Sequence, residues 1–160
     1  MRTYTATTTA SARPEAVLDV LTDPDALLRW APVDFDVERL SGPRLAEGGS
    51  ARVSGRLAGR EVGFDVEVHR ADVDGLALSA RGPVALDVAY ALRRAGDGSE
   101  VSASVTVVPR PGLRARLIAE ATSAVLAGGA LQAALARMAR EAAAAERPAG
   151  AFGALTAVAA

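Results

Sequence analysis

The sequence predicts an α+β fold: a curved antiparallel sheet of about seven strands wrapped around one long C-terminal helix, with two short helices after the first strand. Three observations carry this expectation. Residues 17–32 read as a short helix broken at Asp23-Pro24, then a second short helix ending at Trp30-Ala31-Pro32. From Val33 to Pro109 apolar residues recur with a period of two, the period of half-buried strands. Residues 113–146 then form one alanine-rich segment with helical spacing. That order tends to leave a cavity between sheet and helix, gated at one end by the helical pair, with an almost entirely apolar wall.

The elements follow in order. Residues 2–10 are rich in Thr and suit an edge or early strand. Pro14 sits where a first helical turn starts, and Glu15 suits the dipole of that turn. Val17, Leu18 and Leu21 recur at helical spacing until Pro24 stops this helix and opens the next. Asp23 is the expected cap of the second helix. Residues 49–57 and 60–68 form the clearest hairpin, turning at Ala58-Gly59. Arg52 then faces Asp65 and Arg56 faces Glu61 on one side; Val53 meets Phe64, Ala51 meets Val66 and Gly55 meets Val62 on the other. Residues 42–49 lack the spacing of a phosphate loop and read as the connection before this hairpin. Residues 76–81 are a further short strand, ended by Gly82-Pro83. A second hairpin turns at Gly96-Asp97-Gly98-Ser99, with Tyr90 expected opposite Val105, Val88 opposite Val107 and Leu92 opposite Ala103. Pro109, Pro111 and Gly112 end the sheet. In the final helix Leu113, Leu117, Ala124, Gly128, Leu131, Leu135, Met138 and Ala142 fall on one stripe, taken as the inward one. Gly128-Gly129 permits a bend.

Length and composition bound the function. The chain has 160 residues, 50% of them hydrophobic, enough for one domain with a real core. We assign residues 1–146 to a single domain and 147–160, beginning at Arg147-Pro148, to a flexible apolar tail. Eighteen basic and nineteen acidic residues give a net charge of −1 and no sizeable basic run, so nucleic acid is not an expected partner. Every basic residue is Arg, which reads as a coding bias. With no cysteine and one histidine, neither a thiolate site nor an ordinary zinc cluster is expected. The N-terminus lacks the apolar core of a signal peptide, and the charge-free run 121–136 is too short and too weakly apolar to span a bilayer. A cytoplasmic, soluble protein without cofactor or metal is the expectation.

The layout, with Leu21-Thr22-Asp23-Pro24 leading to Arg29-Trp30-Ala31-Pro32 and Pro111-Gly112-Leu113 opening an Ala/Leu/Arg helix, resembles the SRPBCC superfamily. That group includes polyketide cyclases and aromatases, START-like lipid carriers and birch-pollen-allergen-like proteins. The resemblance covers about residues 3–146 and rests on the order of elements more than on any one motif. It implies a helix-grip fold with an apolar cavity, and no single activity. Members commonly carry an aromatic residue in the first helix where this chain has Leu18, which implies a differently shaped cavity floor.

Several side chains are candidates for chemistry. Val53, Phe64, Val66, Val88 and Val105 share the apolar parity of the two hairpins and are expected to line the cavity, with Leu117 and Ala124 from the helix. Trp30 and Phe35 lie near the gate, as core packing or as an aromatic wall for a flat ligand. Tyr90 is the one polar-tipped side chain on the apolar face; its hydroxyl meets a backbone carbonyl, a water or a ligand oxygen. Glu120 falls on the helical stripe, either paired with Arg116 at the cavity rim or inward as an acid or base. Arg60 stands at a strand end. His69 shares the charged parity of Asp65 and Glu67 and reads as exposed. Asp23, Asp25, Asp34 and Asp36 lack a calcium-loop spacing. The expected function is binding of a hydrophobic small molecule, such as a lipid, isoprenoid or polyketide. The alternative is a cyclase, aromatase or dehydratase using Tyr90 and Glu120. An uncharged helix face, with Ala119, Leu126, Gly129, Ala130 and Ala133, could support a homodimer.

Overall fold

The structure is a computed structural model that describes residues 1–31, 34–57 and 59–146. The expectations that fall on Pro32, Val33, Ala58 and the tail 147–160 lie outside the described residues. The elements are β1 (Arg2–Ala10), α1 (Pro14–Thr22), α2 (Pro24–Trp30), β2 (Phe35–Leu40), β3 (Ser50–Leu57), β4 (Arg60–Asp72), β5 (Gly75–Arg81), β6 (Ala85–Ala95), β7 (Gly98–Val108), α3 (Leu113–Ala127) and α4 (Ala130–Glu146). The strands form one seven-stranded sheet in the order β1-β7-β6-β5-β4-β3-β2, antiparallel at every pairing. β2 to β7 therefore make a meander, and β1 joins it beside β7.

Local chemistry sets the helical pair. Pro14 and Pro24 each stand in the first turn of a helix, where a missing N–H costs nothing. Asp23 ends α1 and caps α2: its Oδ1 accepts from the Asp25 N–H at 3.0 Å. At the other end of α2, Arg137 of α4 donates from Nε to the Trp30 carbonyl (3.3 Å) and from Nη2 to the Ala31 carbonyl (3.2 Å). These are carbonyls that a helix terminus leaves without partners. A surface ion pair, Arg29–Glu141 at 3.2 Å, ties the same two helices.

The β3–β4 hairpin has the predicted register, with Arg52 opposite Asp65, Val53 opposite Phe64, and Leu57 opposite Arg60 next to the turn. Arg52 Nη1 lies 3.1 Å from Asp65 Oδ1. Its guanidinium rests across Gly63, where a side chain would collide with it. The β6–β7 hairpin is shifted by two residues from the expected pairing. Tyr90 faces Ala103, Val88 faces Val105, and Leu92 faces Val101. The turn is the tight pair Gly96-Asp97, with Gly96 at φ +58°, and Ala95 pairs with Gly98. A shift of two leaves every side chain on its predicted face, so the apolar parity is right and the pairing is not. β4 shifts register against β5 between Val68 and Arg70, leaving His69 at a bulge. His69 is exposed, with Nε2 2.9 Å from Ser79 Oγ.

The expected single C-terminal helix is two helices, inclined at 58° across Gly128-Gly129. Gly129 has φ +87°, a left-handed conformation that other residues rarely adopt. The break resets the helical phase. In α4 the predicted stripe faces inward: Leu131, Leu135, Met138 and Ala142 are buried. In α3 it faces out. Leu113 is 75% and Leu117 57% exposed, and Glu120 and Ala124 are exposed too. The buried face of α3 is Ile118, Ala119, Thr122 and Ser123. Of the face named for a homodimer, Ala119 is buried and Leu126 is half-buried against the core, whereas Gly129 and Ala133 are exposed.

Two apolar clusters share the interior. One joins α1 and α4 to β6 and β7 through Val17, Leu21, Val101, Leu135 and Met138. The other joins α3 to β3, β4 and β7 through Val62, Phe64, Val107 and Ile118. α4 is held across the structure at both ends. Near its start Gln132 Nε2 donates to the Thr7 carbonyl of edge strand β1 (3.0 Å), and at its end Glu146 accepts from the Arg13 N–H (2.8 Å) and pairs with its guanidinium. The other edge, β2, is six residues long and shifts register between Val37 and Arg39.

Candidate functional site

A cavity of about 250 Å³ lies where the two clusters meet, between the concave face of the sheet and helices α2, α3 and α4. Leu45, Leu78, Leu86 and Leu126 pack against both clusters and stay only half-buried. The sheet supplies the expected Val53, Phe64, Val66, Val88, Tyr90 and Val105, and the gate supplies Trp30 and Phe35. Strand parity explains the sheet residues and Phe35: each is an inward position of the alternation that buries one face of an antiparallel sheet. Leu18 does not line the cavity; Leu21, one turn on, does.

Leu117, Ala124 and Glu120 do not line it. They sit on the outward face of α3, because the Gly128-Gly129 break gives α3 a phase of its own. No ion pair joins Glu120 to Arg116 among the described residues. Sequence reasoning missed Thr122, Val125 and Leu126 of α3, which form this part of the wall, and Leu76, Leu78 and Ala80 of β5. The β5 residues were legible from alternation alone. The α3 residues were not, because Leu113 and Leu117 form a more apolar stripe than the face that is buried.

Polar groups in the wall are few. Thr122 is committed, its hydroxyl donating to the Ile118 carbonyl at 2.8 Å. Ser54 and Arg56 belong to the end of β3, and Arg56 is exposed. Trp30 is buried and its Nε1–H donates to the Val20 carbonyl at 3.3 Å. Its ring meets Tyr90 edge to face, with centroids 6.1 Å apart. Tyr90 is different. Burial in this apolar surrounding pushes its phenol well above the ordinary value, so it remains a neutral hydroxyl. That hydroxyl makes no hydrogen bond among the described residues. No carboxylate and no imidazole among the described residues lines the cavity. Among the described residues no group of three His, Asp or Glu side chains could hold a metal ion.

Among the described wall residues only Arg56 and Val125 are exposed, and they mark the mouth, with half-buried Phe35 and Leu57 beside Arg56 on β2 and β3. It lies where β2 begins and β3 ends, facing α3, which touches β3.

A curved antiparallel sheet closed by a C-terminal helical pair around an apolar cavity defines the helix-grip class of proteins. The chain belongs to the polyketide cyclase/dehydrase and lipid transport family, whose sequence profile matches residues 1–143, and so to the SRPBCC superfamily. Solved structures with the same fold include the Zhui aromatase/cyclase from Streptomyces sp. R1128 (TM-score 0.71, 18% identity, covering 93% of this chain and 98% of that one). TTHA0849 from Thermus thermophilus is also similar (0.66, 16%, 91% and 99%), as is Ara h 8.0201 (0.59, 13%, 88% and 97%). At these identities the likeness is one of fold alone. No curated protein matches the sequence.

Proposed function

We propose that this protein binds a compact apolar molecule carrying one oxygen function, and that it acts by binding, not by acid–base catalysis. The observation that carries the reading is the composition of the wall. Among the described residues it offers carbon almost throughout, one uncommitted interior hydroxyl at Tyr90, and no carboxylate or imidazole. General acid–base catalysis needs a proton donor or acceptor matched to the working pH, and a buried phenol is a poor match. A hydrogen bond from Tyr90 would instead fix the orientation of a ligand whose carbon frame is held by Trp30, Phe64, Leu78 and Val88. The volume is near the small end of ligand pockets, which run from about 300 Å³. A larger ligand would extend through the mouth past Phe35 and Val125.

Family membership favours a second reading, in which the same cavity folds a polyketide chain for cyclisation. Positioning alone can contribute several kcal/mol, and Tyr90 would hold one carbonyl. Native mass spectrometry of freshly purified protein, with titration of an environment-sensitive apolar dye, tests the binding reading. The expected result is one dye per chain with a dissociation constant in the micromolar range, about −8 kcal/mol. Absence of both dye binding and a co-purified molecule would defeat it. Turnover of a poly-β-ketone into a cyclised product, lost in Tyr90→Phe with binding intact, would favour the cyclase.

A further inference from the structure

The arginines are not evenly partnered. Every ion pair among the described residues uses Arg13, Arg29, Arg44, Arg52, Arg70 or Arg93. Of the eleven described arginines outside these pairs, Arg2, Arg110, Arg114 and Arg116 are exposed and stand together in the topology. The topology gathers them. Arg2 pairs with Val107 near the end of β7, Arg110 follows that strand, and Arg114 and Arg116 stand in the first turn of α3. Within this group Glu120 is the one acid on α3.

The helix itself adds to the positive field. The first turn of α3 contains no acidic residue and its N-terminus has no side-chain cap. Its free amides and the positive end of its dipole therefore act with the arginines. Arginines at a helix N-terminus are unfavourable for the helix alone, so their placement asks for a negative counterpart. Between Arg114 and Arg116 around the helix, Leu113 and Leu117 project into solvent one turn apart. An exposed leucine pair flanked by arginines is the pattern of a helix that lies on an anionic bilayer with its apolar side at the acyl boundary. Further along the same helix, Val125 is at the mouth of the apolar cavity.

We infer that the outward face of α3, with Arg2 and Arg110, is a docking surface for an anionic lipid bilayer, and that docking there brings the cavity mouth to the membrane. The occupant follows from charge complementarity: the chain as a whole carries −1, yet this face is basic. No single helix among the described residues is long and apolar enough to cross a membrane, and α4 keeps its apolar stripe of Leu131, Leu135, Met138 and Ala142 buried against the fold, so the proposed contact is peripheral. Two leucines and a few arginines make it weak and reversible, as exchange of a ligand with a membrane requires.

Co-sedimentation of the full chain with vesicles tests this. The vesicles are phosphatidylcholine alone, or phosphatidylcholine with about one-third phosphatidylserine, an anionic surface. Wild-type protein should bind the anionic vesicles only, and release in high salt, where screening shortens the reach of each charge. Arg114→Gln with Arg116→Gln should weaken binding about 25-fold, at roughly fivefold per arginine near an anionic surface. Leu113→Ser with Leu117→Ser should also weaken it while the salt dependence remains. These side chains are exposed and outside the cavity, so both double variants should keep the wild-type melting temperature and dye affinity in vesicle-free buffer. The dye measurement thereby separates failure of docking from failure of ligand binding. Equal binding to the two vesicle types, or an arginine variant that sediments like wild type, overturns the proposal. So does a wild-type chain that ignores both vesicles and binds an acidic protein instead.

Discussion

Tyr90 brings one hydroxyl into a wall made almost entirely of carbon. Replacing it by Phe removes that oxygen and leaves the ring packed against Trp30. Titration should show an apolar dye binding within about twofold of wild type. A ligand with an oxygen at the right depth should lose about two- to tenfold, the net worth of one neutral hydrogen bond of roughly 0.5–1.5 kcal/mol. Trp30 is 3% exposed and joins α2 to the sheet. Trp30→Ala should cost about 3–5 kcal/mol, measured by urea unfolding, in the range for large buried aromatics. The inward position of Tyr90 was legible in the sequence because Val88 and Leu92 share its parity. Its want of a protein partner was not, since hydrogen bonding depends on what the fold brings opposite. Glu120 shows the converse: its chemistry was visible, and its direction turned on a helical phase that begins anew after Gly129.

Between elements, the longest-range clasp is Arg13–Glu146, which holds the end of α4 against the corner between β1 and α1. The hydrogen bond from the Arg13 side chain, then that from its backbone N–H, holds the Glu146 carboxyl below its ordinary value. A carboxyl so depressed stabilises the fold fully above its unfolded pKa, about 4.3, and loses that contribution as pH falls through the lower folded value. The difference in melting temperature between wild type and Glu146→Gln should therefore be constant near neutrality and shrink toward zero in strong acid. The hairpins show what makes pairing legible. β3 and β4 carry opposite charges at matched positions, Arg52 with Asp65 and Arg56 with Glu61, and the register follows. β6 and β7 have the same kind of marker in Arg93 and Glu100, which face each other at 3.0 Å. With those two charges opposed, the turn must be Gly96-Asp97, and the two-residue shift disappears. At Gly129 a β-branched residue would have to hold φ +87°. Gly129→Val should lower stability by more than the roughly 1 kcal/mol of an ordinary glycine replacement, read as a fall in melting temperature.

For the molecule as a whole, the cavity is what the two clusters fail to fill. Val88→Phe extends a half-buried wall residue into that space. If the space is free for a ligand, the variant should lose dye binding while its melting temperature stays level or rises. A loss of about 1–3 kcal/mol, the usual cost of overpacking a filled core, would show that the side chain found no room. The sheet that makes this hollow is open, not a closed barrel, so it has two margins. α4 reaches over the one at β1. The margin at β2 is short, kinked between Val37 and Arg39, and marked by exposed Asp36, Glu38 and Arg39. Such a strand is a poor template for a second chain. Glu38→Val with Arg39→Thr would give it a smooth β-branched rim, and light scattering of concentrated samples should then rise with time. The colloidal patience of this protein thus rests on six residues at the border of the sheet, far in sequence from the helices that close over its greasy interior.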